Sequence, residues 1–134
     1  MVEKQKVKAA EKQKVQMEFT VRSSPKILYS YLSTPDGLAE WFADDVTVKD
    51  GVYTFHWEGD ESRAKMANKK ENVVVRYKWL DVKDDSYIEF EIQTDDLTSD
   101  VALMVTDFVF PDEKEETHRL WESQVLSLRH LIGS

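Results

Sequence analysis

The chain has 134 residues, of which 41% are hydrophobic and 33% charged, with a formal net charge of −8 and no cysteine. That length and composition fit one domain with an apolar core and argue against disorder. Disulfides, thiolate metal sites and a cysteine nucleophile are excluded, and no apolar run approaches the roughly 20 residues of a membrane helix.

The charge is uneven. Residues 1–16 hold five Lys and two Glu, whereas the other 118 residues carry a net charge of −11. Such an acidic body repels phosphate backbones, so no nucleic-acid partner is expected. "KQKV" stands at 4–7 and again at 12–15. Without an apolar h-region this start does not read as a secretory signal. It reads as a charged, flexible segment over 1–16, followed by the domain at 17–134, and a cytoplasmic location fits the lack of cysteine.

"QMEFTVR" alternates Met17, Phe19 and Val21 against polar residues, the pattern of a half-buried strand. "SSPKILYSYLS" predicts a helix with Ser24 as N-cap, Pro25 at its first position, and Ile27, Leu28, Tyr31 and Leu32 on one face. "TPDGLAEWF" predicts a second, short helix. Thr34 caps it, and Leu38, Trp41 and Phe42 share its apolar side.

From there the period changes to two. Asp50-Gly51 lies between two alternating runs and predicts a hairpin, with Tyr53, Phe55 and Trp57 on one face. "SRAKMANKK" is a weaker, polar strand. "NVVVRYKWL" and "SYIEFEIQT" predict two paired strands. A register in which facing residue numbers sum to 167 places Val75 opposite Ile92, Tyr77 opposite Phe90 and Trp79 opposite Ile88, with Arg76 facing Glu91 on the charged side. "SDVALMVTDFVF" is a further strand, apolar on both faces. Finally, residues 112–132 predict a helix with acidic first turns, basic Arg129 and His130 in its last turn, and Gly133 ending it. Thr117, Leu120, Trp121, Gln124, Val125, Leu128, Leu131 and Ile132 form its inner stripe.

The expected fold class is therefore α+β: a strand, two short helices, about six antiparallel strands, and a long C-terminal helix in the groove of a curved sheet. Incomplete closure would leave an aromatic-lined cavity, the usual form of a small-molecule site. Trp41, Phe55, Trp57, Tyr77, Trp79 and Trp121 are candidates to line it.

Catalytic signatures are missing. His56, His118 and His130 lack metal-ligand spacing, no nucleophile elbow or phosphate loop occurs, and the Asp pairs at 44–45, 84–85 and 95–96 fall in turns. No metal and no cofactor are expected. Asp107 and Gln124 interrupt apolar faces, so each either orients a ligand or bonds nearby backbone.

The segments "FTVRSSPKILYSYLSTPDGLAEWF", "GVYTFHWEG", "VVVRYKWLD", "YIEFEI", "VALMVTDF" and "LWESQVLSLRHLIG" resemble the START-like, helix-grip superfamily, which includes the birch-pollen allergen and the polyketide cyclases. Within it the chain is similar to the group named after the activator of the heat-shock protein 90 ATPase. The resemblance spans about residues 17–133 and implies a hydrophobic cavity between the sheet and the last helix. Carried over, it puts Trp41 and Phe42 near the mouth, Phe55, Trp57, Tyr77 and Phe90 on the sheet, and Trp121, Gln124 and Val125 on the helix.

The leading functional expectation is non-enzymatic binding of a small hydrophobic or amphipathic molecule, lipid- or polyketide-like, with Gln124 and Asp107 orienting its polar atoms. Two alternatives stand beside it. One is a cyclase- or hydrolase-like enzyme using Asp107 or His56. The other is a cochaperone-like interaction module, with a protein partner or a second copy of the chain.

Overall fold

The structure, a computed structural model, describes residues 11–133. Most of the expected flexible leader lies outside the described residues. The first strand, β1 (Gln13–Val21), begins four residues ahead of the Met17 expected from alternation. Helices α1 (Pro25–Ser33) and α2 (Pro35–Trp41) follow. Then come β2 (Asp45–Lys49), β3 (Val52–Trp57), β4 (Asp60–Lys70), β5 (Val74–Trp79), β6 (Tyr87–Thr94) and β7 (Val101–Val109). A 3-10 turn at Pro111–Glu113 leads into α3 (Lys114–Leu131).

All seven strands form one antiparallel, curved sheet in the order β1-β7-β6-β5-β4-β3-β2. The long helix α3 meets β1 and α2, and this is the α+β helix-grip architecture expected. Eighteen residues give α3 a length of about 27 Å, enough to cross several strands spaced about 4.8 Å apart.

Local chemistry explains the entry into the helices. Ser24 Oγ accepts from Ile27 N at 3.1 Å and caps α1. Thr34 serves both helices: its hydroxyl donates to Ser30 O at 2.7 Å and accepts from Gly37 N at 3.0 Å. One side chain thus satisfies a carbonyl at the end of α1 and an amide at the start of α2, groups that have no partner within their own helices. The buried face of α1 is Leu28, Tyr29 and Leu32, whereas Ile27, expected inside, is 52% exposed. Tyr29 turns inward because its ring reaches the sheet, where its hydroxyl donates to Val74 O at 3.4 Å.

The Asp50-Gly51 hairpin forms as expected, with both residues at positive φ (53° and 80°), the conformation of the two-residue turn that matches strand twist. The polar β4 is, at 11 residues, longer than its sequence signal. Only Ala64 and Met66 along it meet the core, so most of its side chains face solvent.

The β5–β6 register differs from the expected one by two residues. Val75 faces Phe90, Tyr77 faces Ile88, and Arg76 faces Glu89 with a 2.8 Å ion pair. Every side chain keeps its predicted face, because a slip of two preserves parity. The loop between the strands sets the offset. Trp79 N donates to Ser86 O at 3.2 Å, Asp84 accepts from the Ser86 amide at 3.0 Å and from its hydroxyl, and Lys78 Nζ donates to Asp84 O at 3.2 Å.

The core lies between the inner face of the sheet and the helices. Phe55, Tyr77, Phe90, Leu28, Leu32, Leu38, Leu103, Val125 and Leu128 are essentially inaccessible. On the outer face the expected charged pairs share space with an aromatic pair. Tyr87 and Phe108 have ring centroids 4.8 Å apart, and Arg76 lies 4.0 Å from the Tyr87 ring centre.

Candidate functional site

Three elements converge on one carbonyl. Phe42 ends α2, and its C=O accepts from Trp57 Nε1 of β3 at 2.9 Å and from Gln124 Nε2 of α3 at 3.2 Å. The last carbonyls of a helix need partners from outside it, and here those partners fix α2 against both sheet and helix. Gln124 therefore interrupts the apolar stripe of α3 because it bonds backbone, one of the two roles the sequence left open.

Behind this junction the rings of Trp41, Phe42, Phe55, Tyr77, Phe90 and Trp121 form a continuous cluster with centroid separations of 5.4–6.5 Å. Trp41 Nε1 donates to Tyr31 O at 2.8 Å, and the Tyr77 hydroxyl to Leu32 O at 2.8 Å. Burial pushes the Tyr77 phenol well above its ordinary pKa, with smaller contributions from Tyr53 and Tyr29. These rings fill the middle of the space between sheet and helix.

An opening remains at the edge of the cluster. A groove of about 350 Å³ runs between β3, β5, β6, β7 and α3, lined by Phe42, Trp57, Trp79, Ile88, Asp107, Thr117, Leu120, Trp121 and Gln124. Of the residues singled out from sequence it brings together Phe42, Trp57, Trp79, Asp107, Trp121 and Gln124. Phe55, Tyr77, Phe90 and Val125 lie in the solid core behind it. Trp41 borders a neighbouring hollow of about 380 Å³ that shares Phe42, Trp57 and Gln124 with the groove. Ile88, Thr117 and Leu120 join the lining without having been singled out. Thr117 and Leu120 were legible as members of the α3 stripe. Leu120 is 57% exposed because this stretch of the stripe meets the groove instead of the sheet.

Asp107 stands on the inner face of β7, where parity would call for an apolar residue. One carboxylate oxygen accepts from Phe108 N at 2.7 Å and the other from Trp121 Nε1 at 3.0 Å. Desolvation raises its pKa above the ordinary carboxylate value, opposed by those two hydrogen bonds and by the charge of Lys12. His56 lies on the opposite parity of β3 from Phe55 and Trp57, half-exposed, with Nδ1 3.4 Å from Glu61. It does not share the groove with Asp107. Among the described residues no cluster of His, Asp and Glu could hold a metal ion, and no helix is long and apolar enough to cross a membrane.

A larger hollow, about 540 Å³, lies beyond the other face of the sheet around Lys12, Asp84, Ser86, Tyr87, Phe108 and Phe110. Its size does not make it the better site. Its one cation is already engaged, with Lys12 Nζ 3.2 Å from Asp84 and 3.4 Å from the Ser86 hydroxyl. The groove instead gathers side chains from four strands, the end of α2 and α3 around three polar side chains, Asp107, Thr117 and Gln124, the arrangement typical of ligand pockets.

A curved antiparallel sheet closed over a long C-terminal helix, with a groove at their junction, defines a helix-grip protein. The chain belongs to the START-like superfamily, whose domain model matches residues 9–134. A Bacteroides fragilis protein solved by NMR in solution is 35% identical, with a TM-score of 0.64 over 90% of this chain and 91% of that one. The Aha1 dimer from Colwellia psychrerythraea superposes with a TM-score of 0.76 at 18% identity, over 90% of this chain and 96% of that one. DynU16, from the dynemicin biosynthetic locus, gives 0.74 at 14% identity over 90% of this chain and 47% of its own. The last two likenesses bear on fold alone. No curated protein matches the chain significantly.

Proposed function

We propose that this protein binds a small hydrophobic or amphipathic molecule in the groove between the sheet and α3. The observation that carries the reading is the groove's composition: a mainly apolar wall of three Trp, Phe42, Ile88 and Leu120, interrupted by Asp107, Thr117 and Gln124. Removing roughly 250 Å² of apolar ligand surface from water contributes about 6 kcal/mol at about 25 cal/mol per Å². The freedom lost on association offsets much of that, so affinity depends on the polar contacts.

Native mass spectrometry after gentle purification, with a screen of hydrophobic extracts, tests the reading. Bound mass is expected, together with NMR shifts at the indole N–H groups of Trp57, Trp79 and Trp121. No bound mass and unmoved indole signals across the screen would overturn it. A catalytic use of Asp107 is the second reading, supported by its desolvated carboxyl at the groove wall. Ligands recovered chemically unchanged after prolonged incubation with the wild-type chain would count against that second reading.

A further inference from the structure

Beside the Thr117 hydroxyl, which can donate or accept, and the Trp79 indole N–H, the polar atoms of the groove's lining side chains offer acceptors. Each Asp107 oxygen takes one hydrogen bond, from Phe108 N at 2.7 Å or Trp121 Nε1 at 3.0 Å, and keeps a lone pair. The Gln124 amide is oriented by the bond from its NH₂ to Phe42 O at 3.2 Å, which leaves its carbonyl oxygen without a partner among the described residues. The indole N–H groups of Trp57 and Trp121 are both spent on protein acceptors.

No Lys, Arg or His is among the described residues that line the groove. Lys12, whose charge Asp107 feels, is held by Asp84 at 3.2 Å and does not line it. A ligand carboxylate entering here would lose water and gain no cation, which is costly. A cation would meet a carboxylate, a free amide oxygen and the half-buried indoles of Trp57 and Trp79, a ring type whose faces attract positive charge. The chain's net charge of −8 acts in the same direction.

We infer that the groove takes an amphiphile whose polar end is an organic ammonium group, seated against Asp107 and the indoles of Trp57 and Trp79. This rests on the groove being the binding site, and it adds the chemical class of the ligand. The test is a matched trio, 4-phenylbutylammonium, 4-phenylbutanol and 4-phenylbutyrate, titrated into the full chain with the indole N–H signals as readout. The ammonium compound is expected to bind at least about tenfold more tightly than the alcohol, in the range that combined cation–π and charge contacts supply, with the carboxylate weakest.

Asp107→Asn should bring the ammonium and alcohol affinities within about threefold of each other, as expected when one charge contact is removed. Trp79→Leu keeps an apolar wall without a π face and should narrow the same ratio while alcohol binding persists. Equal binding of all three compounds, or tighter binding of the carboxylate, overturns the inference and leaves the groove as a site. An ammonium preference that survives both substitutions also overturns it, because it would reflect general attraction to an acidic chain. Indole signals unmoved by all three compounds would remove the groove reading and this inference together.

Discussion

Gly37→Ala should destabilise the protein, against the usual effect of that change in a helix. Alanine is favoured over glycine in a helix by about 1 kcal/mol. Gly37 sits in the first turn of α2, where a methyl group would collide with Ser30 O and lie 2.7 Å from Tyr31 Cα and 2.8 Å from Thr34 Oγ1. The first two atoms are backbone of α1 and cannot rotate away, and the third is the hydroxyl that joins the two helices. Forcing an extra carbon into a packed contact costs about 1–3 kcal/mol, and three contacts under 3 Å argue for the upper end. Subtracting the propensity gain leaves a net loss of about 2 kcal/mol. For a chain of this size that lowers Tm by about 8 °C. Thermal and urea unfolding followed by circular dichroism would measure it. A Tm equal to or above wild type would refute the argument, because it would mean that α1 and α2 do not meet at this glycine.

Other substitutions probe the junction and the groove. Trp41→Ala removes a ring packed on Phe42, Phe90 and Trp121 and should cost about 3–5 kcal/mol in urea unfolding. Wild-type stability with altered ligand exchange would show the ring to be a gate instead of a plug. Tyr77→Phe leaves the Leu32 carbonyl without its buried donor and should lower stability by about 1–2 kcal/mol, whereas an unchanged urea midpoint would contradict that bond. For Asp107, the folded pKa lies above the unfolded one, so its contribution to stability is complete below the ordinary carboxylate pKa and declines as pH rises through the folded value. Urea midpoints from pH 3 to 8 should therefore show wild type losing ground to Asp107→Asn as pH rises. A difference that grows in favour of wild type would reverse the sign of the shift.

Much of the architecture was written in short stretches of chain. Ser24 and Thr34 announced both helix starts, Asp50-Gly51 announced a hairpin, and strict alternation told which face of β5, β6 and β3 turns inward. Each depends on neighbours a few residues away, through a cap, a positive φ or the period of a strand. The tertiary structure alone decided the two-residue offset between β5 and β6, the choice of Tyr29 over Ile27 on α1, and the division of the aromatic residues into core and groove. Parity cannot distinguish registers two residues apart, so the hydrogen bonds around Asp84 and Ser86 settle that one. Trp121 and Gln124 were both legible as inner-stripe residues of α3. Only the arrival of Phe42 and Trp57 from elsewhere in the chain turns Gln124 into a bond to α2 and leaves Asp107 facing an open groove. Which volume is filled and which stays open depends on side chains from α2, α3 and several strands competing for the same space, a sum that no local pattern contains.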